Sequence, residues 1–267
     1  MRRNLIVLIL ALLPFCLFAQ DRTLRVDYVF TGTDKEQQIA LDEMSCFDGW
    51  AGRTVNMDKV PVRGNGQICM TDLQTGKVLY RQAFSTLFQE WQTTEEATRV
   101  RKSFENVFLL PMPETKVELK VELYGFTGGV SASFAHVVDP TDILIRRAEP
   151  QPAPHKYIVR NGTASECIDV AIVAEGYTQA EAELFYADAK KAVDAILAHA
   201  PFDKYASRFN FVAIALESQD SGVSVPLEGA WKKTALSSHF STFYSDRYLT
   251  TLRLRLMHDK LCGVPYE

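Results

Sequence analysis

The stretch DVAIVAEGYTQAEAELFYADAKKAVDAILAHAPF, residues 169–202, decides how the second half of the chain reads. An apolar run from Val170 to Ala174 stops at Glu175-Gly176-Tyr177 and gives way to a helical pattern. Thr178 and Glu181 have the T-x-x-E spacing of a capping box, and Leu184, Phe185, Ala189, Val193, Ile196 and Leu197 recur at helical intervals behind it. A second apolar run, FNFVAIALES (209–218), follows. Strand, helix and strand in this order predict a βαβ unit with parallel pairing and a right-handed crossover. The continuous run CIDVAIVAEG (167–176) predicts a strand covered on both faces. A further helix is predicted through DRYLTTLRLRLMHDKL (246–261). Two strands and two helices leave such a sheet unfinished, and the second domain is therefore read as incomplete.

Upstream, the period is different. In KVELKVELY (116–124), Val117, Leu119, Val121 and Leu123 alternate strictly with charged residues, the pattern of a strand with one buried face. GQICMTDLQTGKVLYRQAF (66–84) predicts a hairpin turning at Thr75-Gly76. TLRVDYVFTG (23–32) and SFENVFLLP (103–111) supply two more strands, and TTEEATRVRKS (93–103) a short helix. Short strands with turn signals predict a β-sandwich. RRAEPQPAPHK (146–156), with Pro150, Pro152 and Pro154, predicts an extended linker. The expected organisation is residues 1–20 signal peptide, 21–146 antiparallel β-sandwich, 147–156 linker and 157–267 an α/β domain, α+β overall.

The signal peptide rests on Arg2-Arg3, an apolar run from Leu5 to Phe18 and the small residue Ala19 near the expected cleavage point. The run is shorter than the roughly 20 residues of a membrane span, and Phe15 before Cys16 is too bulky for a lipoprotein signal. An exported protein without a stable membrane anchor is expected, whether periplasmic, on the cell surface or secreted. A net charge of -4 gives no basic field for polyanions, which argues against nucleic acid as a partner. Cys46, Cys69, Cys167 and Cys262 remain after the signal. Export permits disulfides, but buried free thiols are the preferred reading of so sparse a set.

Beyond the strands' carboxyl ends, where α/β units bind ligands, the candidate residues are Glu175 and Tyr177 after the first strand and Asp220 and Ser221 in SQDSG (218–222) after the second. The turn is neither a G-x-S-x-G nucleophile elbow nor a phosphate loop. His136, His155, His199, His239 and His258 include no pair at i, i+4, so the HExxH zinc helix is absent. Phe84, Phe88 and Trp91, with Trp50, could stack on sugars or a protein partner, although core packing explains them more simply. Asn161-Gly162-Thr163 is a glycosylation sequon expected to be exposed.

Residues 169–226 resemble the start of the catalytic domain of the IgA-metallopeptidase family, exported zinc peptidases of the HExxH type. TLRVDYVFTGT (23–33), WAGR (50–53), residues 64–97, SFENVFLLPMP (103–113) and DPTDILIR (139–146) resemble the N-terminal domain that precedes it in many members. The resemblance implies a zincin-like fold for the second domain, protein substrates and, in the full-length family protein, zinc. It carries no catalytic or metal residue onto this chain, because the zinc helix follows the segment seen here. Glu175, Tyr177, Asp220 and Ser221 would then lie on the rim of the cleft. The leading expectation is the N-terminal portion of an exported zinc metallopeptidase, inactive alone. The alternative is a non-enzymatic exported β-sandwich module for protein or glycan attachment.

Overall fold

The computed structural model describes residues 22–266. The expected signal peptide and Cys16 lie outside the described residues. In chain order, the first part contains β1 (Arg22–Gly32), β2 (Gln37–Asp48), β3 (Gly66–Asp72), β4 (Val78–Phe84), α1 (Leu87–Trp91), β5 (Lys102–Pro111), β6 (Val117–Tyr124), β7 (Val130–Val138) and β8 (Arg146–Arg147). They form two four-stranded sheets, β5-β1-β2-β8 and β4-β3-β6-β7, antiparallel except for the short β2/β8 pairing.

Alternation puts Leu24, Val26, Tyr28 and Phe30 of β1 opposite Ile68 and Met70 of β3 and Val117, Leu119, Val121 and Leu123 of β6, all in one core. The β3–β4 turn falls where Thr75-Gly76 predicts it, with Gly76 at φ +68°. Asp72 organises this turn: its Oδ1 accepts from the Gln74 N–H at 3.1 Å and from the Thr75 N–H and hydroxyl at 2.7 Å. The hydroxyl of Thr115, just before β6, donates to its other oxygen. These donors hold the Asp72 carboxyl down at about 2.

β2 has no continuous alternation to announce it. Ile39 and Leu41 pack against the core, then Met44 and Cys46, a shift of phase. The cause is a bulge: Asp27 pairs with Glu43 and Tyr28 with Leu41, which leaves Asp42 unpaired. The helix expected over 93–103 is one 3-10 turn, Glu96–Thr98; the α-helix lies earlier, at Leu87–Trp91, with the Gln89 N–H donating to the Thr86 cap.

The second part contains β9 (His155–Val159), β10 (Ile168–Val173), α2 (Ala182–Leu197), β11 (Phe209–Ile214) and α3 (Leu254–Leu261). The sheet order is β10-β11-β9, with β10 parallel and β9 antiparallel to β11. The βαβ unit is therefore present, and the Thr178/Glu181 capping box closes the start of the helical segment. Of the predicted apolar stripe on α2, Phe185, Ala189 and Val193 are buried, whereas Leu184 is exposed on the far side. Phe185 and Ala189 pack with Val212, Ala213 and Ile214 of β11 into a second core.

Three expectations change. Arg146–Arg147 and His155–Lys156, at the two ends of the proline segment, are both strand residues, pairing with β2 and β11 respectively. β10 is not fully covered on either face: Val170, Ala171, Ile172 and Val173 are only half-buried and Ile168 is exposed, and among the described strands it lies at the sheet edge beside β11. The final helix is half its predicted length. Thr250 exchanges backbone hydrogen bonds with His239, and Thr251 accepts from the Arg253 N–H, so the chain before Leu254 is committed to other partners. Among the described residues, no helix is long and apolar enough to cross a membrane.

Candidate functional site

At the carboxyl ends of β10 and β11, two loops face each other and are joined through their backbones. The Gly222 N–H donates to Gly176 O at 2.7 Å and the Ser218 N–H to Tyr177 O at 2.9 Å. The buried Ser218 hydroxyl accepts from the Gly176 N–H at 3.1 Å and from the Ala235 N–H at 3.0 Å. Gly176 has φ +78°, and a Cβ there would lie 2.5 Å from Gly222 O, so glycine is required twice over, for the turn and for the close approach.

The four candidate residues lie on this edge, each engaged by a scaffold element. Glu175 Oε1 accepts from the Thr234 hydroxyl at 2.5 Å and the Ser238 N–H at 2.8 Å, and its Oε2 accepts from the Leu236 N–H at 2.8 Å. Its carboxylate therefore holds the loop 234–238 against the sheet. Tyr177 packs edge-on against Phe185, and its hydroxyl donates to Asp188 Oδ2 at 3.1 Å. Burial and that carboxylate push the Tyr177 phenol up. Asp220 Oδ2 accepts from the Lys233 N–H at 2.7 Å. Ser221 donates to Glu181 Oε1 at 2.7 Å, and the Thr178 N–H first, then this hydroxyl, keep the Glu181 carboxyl below its ordinary range. Sequence reasoning missed Ser218, whose only signal is its place after β11, and Thr234, Leu236 and Ser238, which come from a distant loop with no periodic pattern.

Beside this edge lies a cleft of about 810 Å³, lined by Tyr177, Phe185, Tyr186, Leu216, Glu217 and Lys233 among others. Of the aromatics of the first part, Phe88 and Trp91 are fully buried and closed to a stacking partner, whereas Phe84, 4.7 Å from Phe108, and Trp50, edge-on to Tyr80, are half-buried. The sequon is exposed, but the Asn161 amide donates to Ala206 O at 2.9 Å and Phe209 O at 2.8 Å, so its nitrogen is committed to the scaffold.

Residues 14–135 match the family described as Peptidase M64 N-terminus, and residues 157–267 match IgA Peptidase M64. The chain belongs to the IgA peptidase M64 family. No curated protein matches it significantly. Membership of this M64 family implies a metallopeptidase-related function and protein substrates. M64 proteins are zinc peptidases, and the described residues do not fit a zinc centre. His136 Nε2 is bonded to the Tyr28 hydroxyl at 2.6 Å, His258 Nδ1 to the Tyr266 hydroxyl at 2.6 Å, and His155 and His239 to backbone carbonyls. Among the described residues, no group of three His, Cys, Asp or Glu is placed to hold a metal ion. Cys46, Cys69, Cys167 and Cys262 are all free thiols, with Cys46 and Cys262 buried.

Proposed function

We propose that these residues are the N-terminal portion of an exported zinc metallopeptidase that hydrolyses peptide bonds in protein substrates, IgA-peptidase-like, with the zinc-binding HExxH segment lying outside residues 1–267. The observation that carries this reading is the pair of family matches in series, 14–135 and 157–267, in a sequence with no HExxH. The apolar N-terminal run supports export, by cleavage near Ala19 or Gln20. In this reading residues 21–146 are an accessory sandwich domain and residues 157–267 the start of the peptidase domain. Glu175, Tyr177, Asp220 and Ser221 then form the wall of the cleft. They shape it and leave the bond-breaking to groups outside these residues.

The test compares two proteins, the 267-residue chain and the same chain extended through the sequence encoded after Glu267. The extended protein should bind one zinc and cleave a protein substrate in a chelator-sensitive way. The chain alone should hold less than about one tenth of an equivalent, since a real site fills completely. Stoichiometric zinc in the chain alone, or an extension without a zinc motif, would overturn the proposal.

A further inference from the structure

We infer that the outer face of the β5-β1-β2 sheet is a recognition surface for α3, that this helix depends on the face to form, and that the two parts stay associated when the chain between them is cut. α3 has only eight residues, fewer than the about 12 to 15 at which an isolated helix becomes even marginal, and within the second part's core only its Leu261 is buried, with Met257 partly so. It has no side-chain cap of its own at Arg253 and no acid in its first turn. The missing acceptor comes from β5: Glu105 Oε2 accepts from the Arg255 N–H at 3.0 Å, a carboxylate set at the positive end of the helix.

The rest of the contact is ionic and directional. Arg255 and Asp259 are spaced i, i+4 and so share one helix face. The Arg255 guanidinium pairs with Asp42 and, at 3.4 Å, with Glu105. Asp259 Oδ1 accepts from Arg25 Nη1 at 2.6 Å, and Arg255 O accepts from Arg25 Nη2 at 3.2 Å. Arg25 is pre-set for this role, since Asp27 grips its Nε at 2.8 Å and its Nη2 at 2.7 Å and its side chain is only 8% exposed. The bulge that leaves Asp42 out of register places this carboxylate beside Arg255. The surface thus presents acid, base and acid, and fits a short helix carrying an arginine followed four residues later by an aspartate.

Apolar packing along the same seam is incomplete. A cavity of about 530 Å³ lies between the two parts, lined by Trp50, Phe108, Val170, Met257, Leu261 and Tyr266. Charge complementarity therefore sets the register of the docked helix. Just past α3, Gly263 has φ +89° and a Cβ there would lie 2.5 Å from Pro150, so the proline segment itself runs across the helix end.

The experiment uses the full chain with a specific protease site inserted between Gln151 and Pro152. After cutting, the two pieces should co-elute on size exclusion at about 0.05 M salt and separate progressively toward about 1 M, as screened ion pairs require. Amide exchange of residues 254–261 should remain slow in the uncut chain and in the cut complex. Arg255→Ala and Asp259→Asn should each weaken reassociation about tenfold or more and speed exchange in α3. Lys260→Ala, at an exposed position that makes none of these ionic contacts, should change neither. Pieces of the unsubstituted protein that separate at low salt would overturn the inference without reliance on any variant. So would unchanged α3 exchange in the Arg255→Ala, Asp259→Asn double variant.

Discussion

Glu175 accepts the backbone N–H of Leu236 at 2.8 Å, across 61 residues of sequence, and so ties the end of β10 to a loop without regular structure. A carboxylate at the carboxyl end of a strand in an α/β unit is a natural suspect for chemistry. Here, both of its oxygens face protein donors. Glu175→Ala should therefore act on stability, lowering it by about 2 to 3 kcal/mol as hydrogen bonds to a charged acceptor are lost. Glu175→Gln should cost nearly as much, because its amide NH2 would face N–H donors. Chemical denaturation measures both, and a change below about 0.5 kcal/mol would show that the loop is held by something else.

Gly176→Ala should be among the most damaging single-methyl changes in the chain. It combines a left-handed backbone with a Cβ 2.5 Å from Gly222 O, where only backbone can give way. A loss of about 3 kcal/mol is expected. Gly222→Ala, at φ +79° with open space around it, should lose only about 1 kcal/mol. Thermal unfolding of the two variants side by side separates the steric effect from the conformational one.

Trp91 is fully buried against Phe88 and Phe104, and its indole N–H donates to Glu96 Oε2 at 2.8 Å. Trp91→Ala should cost about 3 to 5 kcal/mol through the cavity it leaves. Trp91→Phe should cost less, retaining a ring but leaving Glu96 without that donor, although Lys102 still pairs with Glu96 at 2.6 Å. Denaturant midpoints at constant m-value would check the order.

Acidification should destabilise the protein through His258. Burial first, then the nearby Arg25 charge, push its pKa down to about 4 from 6.5, against a smaller opposing pull from Asp259; the ring is bonded to the Tyr266 hydroxyl. A histidine held neutral in the folded state binds its proton more readily when unfolded. Stability is therefore full above about 6.5 and falls as pH drops toward about 4, by up to about 3 kcal/mol. Burial also lowers the pKa of His136, with the same sign. His258→Gln should flatten the fall in Tm between pH 7 and pH 5. An equally steep fall in that variant would assign the acid sensitivity elsewhere.

The strands that patterning reveals are those with one wet and one dry face, such as β6, or with a strong turn signal, such as Asp72 to Lys77 between β3 and β4. β2 escapes because the bulge at Asp42 shifts its phase midway, and a period-2 reading needs an unbroken phase. The last helix reads too long because helical spacing in Leu249, Leu252 and Leu256 is a local property, whereas the competing bond between Thr250 and His239 is not. The candidate edge was legible through the βαβ pattern alone. Its partners were not, since Thr234, Leu236 and Ser238 reach Glu175 only after the chain has folded back.

Local chemistry in the sequence determined the alternating strands, the capping box that leads into α2, the glycine turn after β10 and the absence of an HExxH motif. Each of these depends on neighbours within a few residues, where backbone sterics and periodicity act. Only the tertiary structure decided that Glu175, Asp220 and Ser221 are bound to the scaffold and that Arg25 meets Asp259, 234 residues away. Such contacts depend on which faces the packed sheets bring together, and no short-range pattern in the chain encodes that.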